Sequence, residues 1–282
     1  GDPENILQLI GRRLHPLGYT IRSAILDFRR YGVPHHRDRL ITIGCRLPSI
    51  VQEIQPLDEF FSKDLSDLHP VPSHGGFGLP SPITLREAVG SLPSLDALSK
   101  LSDSEDPYHQ VPRWNDRQYY WMRNTPEGET AFDNNRCIYC NTDGHAPEVV
   151  FCHTCKKSLP KPTISKNGVA RLVRGFRTSY RRMSWDKPAS TLTMNSGVIS
   201  SDLKGHPDQH RVLSLREILI LSTLDHSSWN RTYQFEGVRH GRRQADLNFS
   251  PRLVREVVGE SIPPLGMHHI IQHLADLDGR LK

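Results

Sequence analysis

"YGVPHHRDRLITIGC", residues 31–45, sets a rigid turn against a run of alternating branched residues. Gly32 and Pro34 punctuate the chain, and the residues after Asp38 alternate as a strand with one buried face does. The run before the turn, "TIRSAILDF" from Thr20, alternates in the same way, so the spacing predicts strand, turn and strand over residues 20–47. Arg37 and Arg39 stand two apart at the lip of the second strand, where an extended chain would point both side chains the same way. Two planar guanidiniums so placed suit an anionic or carbonyl-rich ligand.

Upstream, Ile6, Leu9, Ile10 and Leu14 have helical spacing that stops at Pro16 and Gly18. Downstream, residues 66–82 are rich in Pro, Gly, Ser and His and read as a loop. Its "HGGFGLP" has the glycines of a nucleotide loop but no strand before it and no helix after it, which excludes that reading. Thr84 with Glu87, and Ser214 with Glu217, are capping-box pairs that predict two helices. A further helix is expected from Ser250–Pro251, broken at Ile262-Pro263-Pro264 and resuming near Leu265. Residues 96–200 show no comparable pattern. The chain thus reads as a mixed α/β scaffold over 1–95, an inserted domain over 96–200, and closing helices over 201–282.

The 282 residues are 36% hydrophobic and 24% charged, a globular composition. There is no apolar run near the ~20 residues a membrane span needs and no basic-then-apolar leader. The expected setting is cytoplasmic or nucleoid-associated. Net charge is +5, yet Lys156 to Lys187 holds ten Lys or Arg residues against one acid, Asp186. That segment alone carries +9, so the rest is net acidic. With Phe176, Tyr180 and Trp185 interleaved, the stripe fits a polyanion, and nucleic acid above all.

Four of the five cysteines form two Cys-x-x-Cys pairs, Cys137 with Cys140 and Cys152 with Cys155, eleven residues apart. Each pair can turn two thiolates toward one tetrahedral ion, and four such ligands close the site, so a structural Zn2+ is expected. His145 and His153 are expected to face solvent. A metal supplies folding free energy where an insert is too small for a core.

The turn frame, Tyr31-Gly32-Val33-Pro34-His35-His36-Arg37-Asp38-Arg39, resembles a block of the DNA cytosine-5 methyltransferases of the form Tyr-Gly-Val-Pro-Gln-x-Arg-x-Arg. "ITLREAVGSLP" (83–93), "YRRMSWDKPASTLT" (180–193), "HPDQHRVLSLREILILSTL" (206–224) and "VVGESIPP" (257–264) are similar to later blocks in family order. The family's Phe-x-Gly-x-Gly cofactor loop and Pro-Cys nucleophile have no counterpart here, and Glu4-Asn5-Ile6 only echoes its Glu-Asn-Val acid.

The resemblance implies an α/β fold. It would comprise the C-terminal part of a methyltransferase Rossmann-like sheet, with antiparallel edge strands, and an inserted irregular zinc-containing target recognition domain. It implies methyl transfer from S-adenosylmethionine to C5 of a flipped cytosine in double-stranded DNA, in a restriction–modification or other methylation setting. A chain or upstream segment carrying the cofactor loop and Pro-Cys would complete the enzyme. Arg39, with Arg37 aligning it, would stabilise charge on the base. His35, Arg174, Arg177, Arg181, Arg182, Thr191, Thr193 and Asn195 would lie at the DNA, and Gly259, Glu260 and Ser261 at the cofactor. The alternative is a non-catalytic, zinc-stabilised, sequence-specific DNA-binding subunit. A histidine-metal nuclease ranks below both, because the 15 histidines show no His-Asn-His spacing near the knuckles.

Overall fold

A computed structural model describes residues 6–46, 68–98, 104–228 and 250–279. Glu4 and Asn5 therefore lie outside the described residues. The chain divides into two compact units, residues 1–82 with 262–282, and residues 83–261. Both boundaries differ from the 95/96 and 200/201 divisions expected above.

In the first unit, α1 (Ile6–Leu14) leads into β1 (Thr20–Asp27), which pairs antiparallel with β2 (Asp38–Cys45). The register runs from Thr20 opposite Cys45 to Asp27 opposite Asp38. Ser23 and Thr42 bond across the hairpin at 2.9 Å. The "HGGFGLP" segment is a closed loop, with the Gly75 N–H donating to the Pro80 carbonyl at 2.7 Å. The last helix, α6 (Pro264–Gly279), belongs to this unit because Gly266 lies against the Phe28 ring, where a Cβ would clash.

The second unit is built on α2 (Leu85–Val89), α3 (Asp116–Arg123), α4 (Leu215–Leu221) and α5 (Pro251–Glu260). Both predicted capping boxes are present, at Thr84 and Ser214. One core joins Leu85 and Val89 to Met183, Trp185, Leu192, Leu215, Ile218, Val254 and Val258, which is why α2 falls with this unit and not with the hairpin. A second core gathers Trp121, Met122, Phe132, Tyr180, Ile199 and Val212. A short antiparallel ribbon, β3 (Thr163–Lys166) with β4 (Val169–Leu172), stands beside it. Helix α3 falls inside the stretch expected to be irregular, and its signal was present. Asn115 and Gln118 form a capping box of the amide kind.

The described residues hold two two-stranded antiparallel sheets, so the mixed α/β class and the antiparallel strands are present. No parallel pairing of named strands occurs among the described residues. No helix among them is long and apolar enough to cross a membrane.

Candidate functional site

In the first unit the turn builds itself around buried side chains. Asp27 caps a short 3-10 turn, Phe28–Tyr31, and pairs with Arg29 at 2.7 Å. Gly32 takes φ 78°, and a Cβ there would press on the His74 ring and Leu265. The Tyr31 hydroxyl donates to the Pro70 carbonyl at 2.9 Å, and the Phe28 N–H to the Arg37 carbonyl at 3.0 Å. Tyr31, Val33, His35 and Arg37 are all buried, while His36 and Asp38 are exposed.

The two arginines are therefore not equivalent. Both lie on the less exposed face, as the alternation expected, but at different depths. Arg37 is 3% exposed, and burial, then the nearby Arg39 charge, pushes its guanidinium down to about 10. Arg39 is half-exposed, and its guanidinium donates to the Asp38 carbonyl at 2.8 Å. Among the described residues no carboxylate pairs with it. Arg39 is thus the cation of this pair that a ligand can reach.

His35 corrects the expectation that it lies at the DNA. It is 2% exposed, with Nδ1 at 3.0 Å from the His36 carbonyl. Burial pushes its pKa down to about 3, so the ring stays neutral.

In the second unit the four cysteines converge, with their Sγ atoms within 4.8 Å of one another. Cys137 lies 3.5 Å from Cys155, and Cys140 3.5 Å from Cys152, so the two knuckles interleave. The knuckles repeat one backbone turn. The first cysteine's N–H donates five residues on, Cys137 to Thr142 at 2.8 Å and Cys152 to Lys157 at 2.9 Å. The residue after each second cysteine is left-handed, Asn141 at φ 57° and Lys156 at φ 62°. Burial opposes ionisation of Cys152, but N–H groups of Cys155 and Thr154 accommodate its thiolate and bring it down to about 5. Four thiolates about 2.3 Å from one ion sit roughly 3.8 Å apart, and the observed cluster fits that set.

His145, expected at the surface, is buried, with Nδ1 2.7 Å from the Asn135 carbonyl and its ring against His153 at 4.6 Å. It braces the knuckles from behind. Lys161, fully buried, donates from Nζ to the Pro147 carbonyl at 2.9 Å and fixes the loop between them.

The basic stripe splits into inside and outside. Arg174 and Arg177 are exposed and line a cleft of about 390 Å³ with Phe132, Glu148 and Leu172. Arg177 pairs with Asp133 at 2.5 Å. Arg181 is half-exposed and donates to the Gly128 carbonyl at 2.9 Å. Arg182 is a correction. It is 2% exposed and donates to the carbonyls of Met122, Thr125, His206 and Gln209 at 2.6 to 2.8 Å. A guanidinium spent this way holds the unit together and does not reach a phosphate. "YRRMSWDKPASTLT" is accordingly a spine of the core, with Tyr180, Met183, Trp185, Ala189 and Leu192 buried.

Thr191 and Asn195 are exposed, whereas the Thr193 hydroxyl is buried without a hydrogen-bond partner among the described residues. Gly259 packs on this segment, where any Cβ would overlap the Thr193–Met194 backbone. Ser261 caps α5, its hydroxyl donating to the Val258 carbonyl at 2.8 Å. Of the three residues expected at the cofactor, Gly259 and Ser261 thus pack and cap within this unit, and Glu260 is the exposed one.

A family model of the C-5 cytosine-specific DNA methylases matches residues 2–276. The chain is 27% identical to the Type II methyltransferase M1.HgaI of Avibacterium volantium, over 91% of this chain and 56% of that protein. It is 24% identical to the Type II methylase M.HgiDII of Herpetosiphon aurantiacus, over 89% of this chain and 54% of that protein. The Type II methyltransferase M.AgeI of Thalassovita gelatinovora is 23% identical, over 89% and 67%. The chain thus spans about half the length of the first two. A match over residues 2–276 takes in both the turn that holds Arg39 and the unit that holds the knuckles, and the chain belongs to the C-5 cytosine-specific DNA methylase family.

Proposed function

We propose that this chain supplies the base-side wall and the target-recognition part of a DNA cytosine-5 methyltransferase. The nucleophile and most of the cofactor pocket would come from another segment or partner chain. The observation that carries the reading is Arg39, a half-exposed guanidinium held at the lip of β2 by a buried turn and facing no carboxylate among the described residues. In the proposed reaction a cytosine leaves the duplex and a thiolate from the other segment adds to its C6. Negative charge then builds on the ring, and Arg39 stabilises it at fixed position without reorganisation cost. Arg37, buried in the same turn, is a positioning residue for Arg39.

S-adenosylmethionine, the family's methyl donor, would sit in the pocket of the other segment, with Glu260 the remaining candidate from this chain. A Zn2+ on Cys137, Cys140, Cys152 and Cys155 would be structural. Double-stranded DNA would be held by Arg174, Arg177 and Arg181, with Thr191 and Asn195 as further candidates. Names of the relatives as Type II methyltransferases favour a restriction–modification setting.

The test mixes the chain with a polypeptide carrying the Phe-x-Gly-x-Gly and Pro-Cys blocks, labelled adenosylmethionine and duplex DNA. Label in DNA is expected from the mixture and from neither component alone. Arg39→Ala is expected to slow the mixture by about 10²-fold or more, and a near-normal rate would remove Arg39 from the chemistry. DNA binding with no label from any mixture favours the second reading, a zinc-stabilised DNA-binding subunit. The packing of Gly259 on the Thr193–Met194 backbone is the observation on that side.

A further inference from the structure

The second unit carries one short two-stranded ribbon among its described residues. Strands β3 and β4 form a ribbon closed by Asn167 at φ 53° and Gly168 at φ 76°. Two successive left-handed residues make the tight hairpin turn whose twist matches its strands. The foot is anchored. Leu172 and Val173 pack on the Trp121–Phe132 core, the Val173 N–H donates to the Pro162 carbonyl at 2.9 Å, and Arg117 donates to the Thr163 carbonyl. The tip is exposed. The ribbon is a stiff finger on a fixed base.

Register decides what it presents. Ile164 opposes Arg171 and Lys166 opposes Val169, so these four side chains share one face. All four are exposed, Val169 by 67%. The other face pairs Thr163 with Leu172 and Ser165 with Ala170, and Leu172 turns it toward the core. The outward face therefore offers two cations and two apolar contacts. The ribbon itself carries no acidic residue, the nearest in sequence being Glu148 and Asp186, although Glu148 lines the cleft at its foot and Asp133 pairs with Arg177 there. Four-residue strands span roughly 14 Å at ~3.4 Å per residue and lie about 4.8 Å apart. A major groove about 12 Å wide admits a two-stranded ribbon of that size. Arg174 and Arg177 follow at the foot, beside the 390 Å³ cleft, where cations would meet the flanking backbone.

We infer that the β3–β4 ribbon is the sequence-reading element of this protein, entering the DNA major groove with Arg171, Lys166 and Val169 toward the base edges while Arg174 and Arg177 hold phosphates. The inference rests on the reading of the chain as a DNA-recognition part. Arg171 supplies a planar fork that bonds two acceptors of one guanine, Lys166 a point charge, and Val169 a methyl surface for thymine.

The experiment selects bound duplexes from a pool randomised at its central positions, using the full 282-residue chain with zinc. Wild-type protein is expected to enrich a short motif. Arg171→Lys, which keeps the charge and loses the fork, is expected to bind the unselected pool as wild type does. It should nevertheless lose about tenfold or more in preference at one motif position. Arg174→Ala with Arg177→Ala is expected to weaken all duplexes alike and leave the motif intact. If Arg171→Lys, Lys166→Ala and Val169→Ala all enrich the wild-type motif with unchanged preference, the ribbon does not read sequence and the inference is overturned. If wild-type protein binds no duplex, the DNA-recognition reading falls first and the ribbon with it.

Discussion

The second unit contains two regions that solve one problem, too little regular secondary structure, by different means. Around the knuckles the buried apolar side chains are Cys137, Cys152 and Leu159, and the rest of the region is turns. Around Arg182 there are two substantial cores, yet the segments between them are also irregular, joined by single bridges such as Ser179 to Asp202 and Gly205 to Val212. The first region has thiolates converging on one point. The second has buried cations distributed over backbone carbonyls: Arg182 on four of them, Arg255 on Leu213, Lys204 on Thr191. A carbonyl left over by an irregular chain needs a donor, and a guanidinium supplies five. The basic stripe thus serves partly as internal scaffolding, which charge counting alone reads as surface.

The comparison breaks most sharply on metal removal. Structural zinc contributes on the order of 10 kcal/mol of folding free energy in small metal domains. Chelation, or Cys137→Ser, is expected to unfold residues near 135–162 while the Arg182 region keeps its packing. Amide hydrogen exchange separates the two. Protection lost at Cys137 and Cys152 but kept at Tyr180 and Met183 is the expected outcome, and unchanged protection at the knuckles would rule out a structural metal.

Next in size is Arg182→Met. It fills the volume but removes the guanidinium from the carbonyls of Met122, Thr125, His206 and Gln209, of which Met122 and Gln209 keep a backbone donor. A buried carbonyl left without a donor costs about 1–3 kcal/mol. Denaturant melts of the zinc-loaded chain should show that loss, and Arg177→Met, on an exposed side chain, should show almost none. Equal effects would mean that Arg182 is not the keystone the geometry makes it.

Gly259→Ala sharpens the same contrast at α5. Its Cβ would overlap the Thr193–Met194 backbone, so the helix must shift, at a cost of about 1–3 kcal/mol for overpacking. If instead the position serves cofactor alone, stability is unchanged.

Much of this was legible in the sequence where a local rule suffices. Alternation gave the hairpin over residues 20–45, capping boxes gave the starts of α2 and α4, and spacing gave the four-cysteine cluster. What was not legible depends on long-range burial. Nothing local distinguishes Arg182, inside, from Arg181, half-exposed, or Lys161, inside, from Lys157, exposed. Alternation placed Arg37 and Arg39 on one face, but which of them is buried depends on what packs over the turn. The ribbon has a strong local signal, Asn167-Gly168 between "TISK" and "VARL", set within a stretch whose charge and cysteine spacing dominate its pattern.

The smallest expected effect compares buried histidines in the two units under acid. His35 in the first unit and His206 in the second are both pushed down to about 3 by burial. Their ordinary value is 6.5, so the unfolded chain takes up protons that the folded chain refuses. Stability is therefore full above about pH 6.5 and is lost as pH falls toward 3. Glu217 adds a lower window in the second unit. Burial would raise it, but its pair with Arg211 at 2.6 Å overrides this and holds it at about 2, so its contribution is lost as pH falls from its ordinary 4.5 toward 2. His35→Gln keeps a donor for the His36 carbonyl and removes the proton uptake. It should leave stability near pH 7 nearly unchanged. Below pH 6 it should flatten the loss in the first unit by about 1.4 kcal/mol per pH unit, the slope of one proton. Hydrogen exchange at β1 and β2, followed from pH 7 to 4, reads that slope. An unchanged slope would mean that His35 is protonated in the folded turn, and the burial that separates it from Arg39 would have to be given up.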